Sequence, residues 1–183
     1  MEYKILGKTG LEISRLGFGG IPIQKIDAEG TKKLIGELIR EGVNFIDTAR
    51  GYTVSEEYLG FALEGVRDQF VLATKSMART KEAMGKDIDI SLANLRTDHI
   101  ELYQVHNPTV EQFEKVLEPG GALEALFEAK EAGKLNSDAF NTLRQLMEMY
   151  PGYEIQIKTT TKRKVELKGL DYDFMRDYIQ KSG

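Results

Sequence analysis

Between residues 16 and 133, short apolar segments alternate four times with longer segments of helical periodicity. Leu16–Gly20 is apolar and ends in glycines. Asp27 follows as an expected N-cap, and Leu34, Ile35, Leu38 and Ile39 recur at three-to-four spacing before Gly42. That pattern predicts an amphipathic helix with a glycine at its C-terminal stop. Val43–Thr48 is a second apolar segment. Ser55 is the expected cap of the next helix, with Glu56 and Glu57 near its positive end and Leu59, Ala62 and Leu63 inside. Phe70–Ser76 and Ile100–His106 are the third and fourth segments. Between them Thr80 is placed to cap a helix with Met84, Ile88, Leu92 and Leu95 on one face. A helical stretch from Val110 breaks at Pro119-Gly120-Gly121, resumes through Leu123, Leu126 and Phe127, and stops at Gly133.

Strand–helix alternation predicts a parallel sheet with helices outside, either doubly wound or a barrel. Four units cannot close an eight-stranded barrel, which usually takes about 250 residues; the chain has 183. Ahead of the repeat, residues 2–16 read as a hairpin. Tyr3, Ile5 and Leu6 precede Gly7-Lys8-Thr9-Gly10, and Leu11, Ile13 and Leu16 follow it. The two glycines supply the positive φ angles of a tight reversal.

The last 48 residues change character. Residues 1–135 carry a net charge of −5 and residues 136–183 a net charge of +1. Phe140, Leu143, Leu146, Met147 and Tyr150 suggest a helix ended by Pro151-Gly152. Tyr153, Ile155 and Ile157 alternate as one strand, and Val165 and Leu167 as another. Asp171 is placed to cap a final helix carrying Phe174, Met175, Tyr178 and Ile179. The expected division is therefore an α/β unit over 1–135 and a small α+β helix–hairpin–helix tail over 136–183.

Composition narrows the function. There is no cysteine, so disulfides, thiolate nucleophiles and cysteine-held metal clusters are excluded. With two histidines, His99 and His106, no metal site is expected; His99, just before a strand, reads as a surface residue. A net charge of −4 offers no basic field for nucleic acid, and the basic run Lys162-Arg163-Lys164, with Lys158, reads as a solvated turn. No apolar run reaches the 18 residues of a membrane span, and the start MEYKILGKTG lacks the pattern of a secretory signal. The expectation is a cytoplasmic protein with no membrane partner.

Asp47, Lys75 and His106 stand at or near the ends of three successive expected strands, 28 and 31 residues apart. That is about one βα unit each time, and equivalent strand ends share the rim where parallel barrels place their chemistry. Tyr52, five residues past Asp47, belongs to the loop above that rim. Phenol is a poor acid near neutral pH, with an ordinary pKa of about 10. A nearby ammonium stabilises phenolate, a carboxylate holds the ammonium, and an imidazole can orient a carbonyl oxygen. Such a set could protonate a carbonyl oxygen while hydride arrives at its carbon. Gly17-Phe18-Gly19-Gly20 does not spell G-x-G-x-x-G, so a Rossmann reading is weak.

DTARGY (47–52), ATKS (73–76) and YQVHN (103–107) resemble the aldo-keto reductases. So do LGKTGLEISRLGFGG (6–20) and LANLRTDHIELY (92–103). The resemblance covers residues 1–135, with the motifs in the family's order and spacing. It implies a (β/α)8 TIM barrel with an N-terminal hairpin at its base, and hydride transfer from NADPH to an aldehyde or ketone. Tyr52 would be the general acid, Lys75 would ease release of its proton, Asp47 would support Lys75, and His106 would position the carbonyl. Backbone near Gly20 and Ile21, together with Asp47, would face the nicotinamide.

After EAGKL (131–135) the family continues with a fifth strand, whereas this chain reads NSDAFNTLRQ. The family's second half holds most of the dinucleotide. The expectation is thus a half-barrel whose NADPH-dependent carbonyl reduction is impaired. The alternative is a non-catalytic fragment acting as a binding or oligomerising protein, with self-association through the open barrel edge.

Overall fold

The computed structural model describes residues 1–7, 9–136, 156–158 and 164–166. The chain opens with an antiparallel hairpin, β1 (Tyr3–Ile5) and β2 (Glu12–Ser14), with Ile5 opposite Glu12. Gly7 and Gly10 take φ values of 53° and 74° in its turn, as expected. Asn44, just ahead of the strand that begins at Phe45, docks the hairpin. Its side chain accepts from Ser14 N at 2.7 Å and donates to the Glu12 carbonyl at 3.0 Å.

Four parallel strands follow in the spatial order β3-β4-β5-β6. They are β3 (Phe18–Gly19), β4 (Phe45–Asp47), β5 (Val71–Ser76) and β6 (Leu102–Val105). Between them run α1 (Ala28–Arg40), α2 (Ser55–Ala62) and α3 (Lys81–Leu95); α4 (Val110–Leu117) and α5 (Ala122–Glu131) follow β6. The expected parallel α/β alternation is present in this order. Asp27 caps α1, accepting from Gly30 N at 2.7 Å, and Thr80 caps α3. Gly42 and Gly133 take positive φ just beyond α1 and α5.

The two faces of the sheet differ. Ile46, Leu72, Thr74, Ser76, Tyr103 and Val105 are buried, and their partners lie on the helices. The alternate residues Phe45, Asp47, Val71, Lys75 and Gln104 are half-buried and share the other face. Period-two alternation sends successive side chains to opposite faces. One face therefore packs against the helices, and the other carries the charged pair beside the buried Ala73 and Leu102. No helix among the described residues is long and apolar enough to cross a membrane.

Two local expectations are corrected. Ser55 is the first residue of α2 and not its cap; Val54 stands at the N-cap without a side-chain bond. The Ser55 hydroxyl instead lies 2.8 Å from Thr48 Oγ1 and donates to the Gly20 carbonyl at 3.0 Å. Glu56 stands in the first turn of α2 as expected, and there it is a buried carboxylate, 1% exposed. In α3 the buried stripe is Met84, Ile88, Ser91 and Leu95, with Leu92 half-buried beside it.

The edge of β6 is occupied at its start. Ile100 N donates to the Lys134 carbonyl and Asn136 N donates to the Ile100 carbonyl, both at 3.0 Å. Leu135 thus opens a fifth parallel position beside Ile100. Further on, β7 (Gln156–Lys158) and β8 (Lys164–Glu166) pair antiparallel, Ile157 opposite Val165, as a separate two-stranded sheet. The helices expected near 140–150 and 171–179 lie outside the described residues.

Helices α2 and α3 touch closely at Gly60. A Cβ there would stand 2.1 Å from the Asn94 carbonyl oxygen and 2.8 Å from Leu95 C. Backbone cannot yield as a side chain can, so Gly60→Ala should cost about 3 kcal/mol, the upper end of overpacking effects. Urea unfolding monitored by circular dichroism checks this; a loss under about 0.5 kcal/mol would show that the helices can separate.

Candidate active site

The rim is fixed by backbone before any side chain matters. Gly20 N donates to the Asp47 carbonyl at 2.7 Å, and Thr48 N to the Ala73 carbonyl at 2.8 Å. Arg50 N reaches the Lys75 carbonyl at 3.0 Å, and His106 N reaches that of Ser76 at 2.8 Å. Each parallel ladder thereby continues past its strand end and sets the relative height of the next loop.

On this frame Asp47, Lys75, Tyr52 and His106 converge. Lys75 Nζ donates to Asp47 Oδ2 at 2.5 Å and to the Thr48 carbonyl at 2.8 Å. An ammonium has three protons, so one is left for a further acceptor. Nζ also lies 5.1 Å from the centre of the Tyr52 ring. The Tyr52 and His106 rings meet edge to face, with centroids 5.9 Å apart and an interplanar angle of 86°. Lys75 is 12% exposed and Asp47 38%, so the pair opens toward solvent on the carboxylate side.

The surroundings of His106 favour its neutral form. Burial holds its pKa below the ordinary histidine value of 6.5. The positive charges of Lys75 and Arg79 act in the same direction, and Asp47 opposes them. Its Nδ1 is sealed from solvent without a hydrogen-bond partner. That leaves Nε2 as the nitrogen able to meet a ligand. The Arg79 guanidinium secures the main chain below, donating to the His106 carbonyl at 2.8 Å.

The backbone is unusual where the site needs it. Thr53, next to Tyr52, has φ 43°, and Asn107, next to His106, has φ 39°. A β-branched residue in that region is an outlier, and such conformations gather at functional sites.

Of the residues expected to face a nicotinamide, Gly20 packs tightly. A Cβ on it would meet Ser55 Oγ at 2.8 Å and Thr48 Oγ1 at 2.9 Å. Ile21, the first residue of a short 3-10 helix, is 54% exposed. Sequence reasoning missed Arg50, Glu56 and Asp87 behind the rim. The available signal was Ser91, a polar residue inside an apolar helix stripe. His99 sits apart at the other end of β6, its ring nitrogens 2.7 Å from Asp98 Oδ1 and 3.1 Å from Glu101 Oε1.

The sequence model of the aldo/keto reductase family matches residues 15–164. The chain belongs to this family. The match continues past residue 135, where the motif resemblance ends. The chain is similar to the aldo-keto reductase YhdN of Bacillus subtilis, at 32% identity over 85% of this chain and 54% of that protein. It is also similar to L-galactose dehydrogenase of Arabidopsis thaliana, at 31% identity over 73% of this chain and 46% of that protein. The solved holo form of the aldo-keto reductase AKR11C1 from Bacillus halodurans superposes with a TM-score of 0.65. That structural match has 30% identity and covers 74% of this chain and 48% of the other. The chain thus spans about half the length of the relatives it matches.

One titration tests the electrostatics of this site. NMR should place the His106 midpoint below 6.5, and a midpoint at or above it would contradict the burial described. The folded state then binds fewer protons than the unfolded chain just below pH 6.5. This group's contribution to stability is therefore full above that pH and declines as pH falls through the interval.

Proposed function

We propose that this chain carries the proton-delivering side of an NAD(P)H-dependent carbonyl reductase. The observation that carries the reading is the meeting of Lys75 with Asp47 at 2.5 Å and with the Tyr52 ring at 5.1 Å, beside His106. A substrate aldehyde or ketone sits with its oxygen between the Tyr52 hydroxyl and His106 Nε2. The neutral imidazole donates to that oxygen and orients it. As charge builds on the oxygen, Tyr52 transfers its phenolic proton. The Lys75 ammonium stabilises the phenolate left behind, and Asp47 keeps the ammonium in place. The nicotinamide cofactor, when bound, supplies the hydride that completes the alcohol.

Support for the cofactor comes from the reacting end of the site. Ile21 offers an exposed apolar surface beside Gly20, suited to an aromatic ring. Asp47 Oδ2 is taken by Lys75, which leaves Oδ1 as an acceptor facing solvent. NADPH is the cofactor expected from the resemblance. A relative solved in a holo form and a dehydrogenase among the relatives support a redox cofactor for this chain. Hydride transfer also requires the dinucleotide to be positioned as well as the acid. Residues beyond 136, or a second copy meeting the edge of β6, would have to contribute to that.

The test is titration of the folded chain with NADPH, followed by the cofactor's fluorescence, with turnover of a small aldehyde. Saturable binding is expected. Tyr52→Phe should keep that binding and lose at least about 100-fold in turnover, the lower range for a general acid. If the folded chain shows no saturable binding, the second reading holds: a non-catalytic binding or oligomerising protein.

A further inference from the structure

Behind the rim lies a polar cluster that the proposed chemistry does not use. Glu56 is 1% exposed and accepts from Thr74 Oγ1 at 2.8 Å, Ser91 Oγ at 2.8 Å and Asn94 Nδ2 at 3.3 Å. Its cation is Arg50, whose Nη1 lies 3.2 Å from Glu56 Oε2. Arg50 Nε is sealed from solvent without a hydrogen bond and stands 3.7 Å from Asp87 Oδ1. Asp87 in turn accepts from Ser76 Oγ. Ser91 donates to Glu56 and so accepts from the Tyr103 hydroxyl, 3.2 Å away. Burial, above all, raises the Tyr103 pKa; Glu56 and Asp87 add to this, while the Ser91 bond opposes it. That phenol therefore stays a neutral donor.

The cluster's topology is specific. Thr74 and Ser76 flank Lys75 in β5 and point to the helix side. One is gripped by Glu56 from α2 and the other by Asp87 from α3. Arg50 lies between those two carboxylates. Its own N–H holds the Lys75 carbonyl at 3.0 Å, and its chain position is two residues before Tyr52. A planar guanidinium can face two carboxylates at once, which an ammonium cannot do with the same geometry.

We propose that Arg50, held by Glu56 and Asp87, is the positioning residue for Tyr52 and Lys75. It clamps the loop bearing the phenol to the two helices that grip the neighbours of the lysine. This role presupposes that Tyr52 and Lys75 deliver the proton, as proposed above. Without the clamp, the Tyr52 ring leaves the edge of His106 and water reaches the imidazole. The groups facing that imidazole are Tyr52, Lys75, Asp47 and Arg79.

With two histidines in the chain, NMR of the imidazoles reads the effect without cofactor or turnover. Arg50→Met should weaken the nuclear Overhauser contact between the Tyr52 and His106 rings at least about twofold. It should also raise the His106 midpoint toward 6.5, lowering its acid dissociation constant about threefold as burial is relieved, with His99 unmoved. Arg50→Lys keeps a charge beside Glu56 and should fall between the two. Loss of the ring contact supports the clamp even if NADPH does not bind, so the two proposals fail separately. An intact ring contact overturns it, whether the midpoint stays or moves, because a shift alone would be a charge effect. If Arg50→Met does not fold, Arg50→Lys decides: a wild-type ring contact and midpoint overturn the clamp.

Discussion

The contact between Lys75 and Asp47 joins neighbouring strand ends and gives the rim its character. A carboxylate and an ammonium on adjacent parallel strands can meet only if both point to the same face and the long lysine side chain spans their difference in height. The register places Asp47 beside Ala73 and Lys75 beside Gln104, all on the face away from the helices. The Thr48 carbonyl takes a second proton of the ammonium, so the lysine is held by the main chain as well as by charge. Tyr52 and His106 then gather around a cation whose position is already set.

Behind that pair the burial runs the other way. Odd-numbered positions of β5 face the rim side and even-numbered ones face the helices, where Thr74 and Ser76 are buried polar residues. Buried polar groups need partners, and Glu56 and Asp87 supply them. The core behind the site is therefore not only apolar. It includes a charged cluster whose removal in part would strand a buried carboxylate, a change that usually costs several kcal/mol.

Much of this was legible in the sequence. Strand–helix alternation, the caps at Asp27 and Thr80 and the stops at Gly42 and Gly133 are local signals. The 28- and 31-residue spacing pointed to one rim because parallel βα units bring equivalent strand ends together. What was not legible depended on non-local contacts. Ser55 and Glu56 look like the start of a surface helix, since Ser favours caps and Glu the first turn. Only distant partners turn them inward: Thr48 and the Gly20 carbonyl for Ser55, and Thr74 and Ser91 for Glu56. Arg50 reads as an ordinary loop charge until Glu56 and Asp87 are seen on either side of it.

Four side chains from three strand ends and one loop share a single electrostatic environment. It is tested most directly by the His106 midpoint in two charge-removing variants. Lys75→Met should raise it, because a nearby cation that disfavours the imidazolium is gone. Asp47→Asn should lower it, because a nearby anion is gone. Opposite shifts of this kind require both charges to lie close to the imidazole. A midpoint unchanged in both folded variants would contradict the convergence on which the account rests.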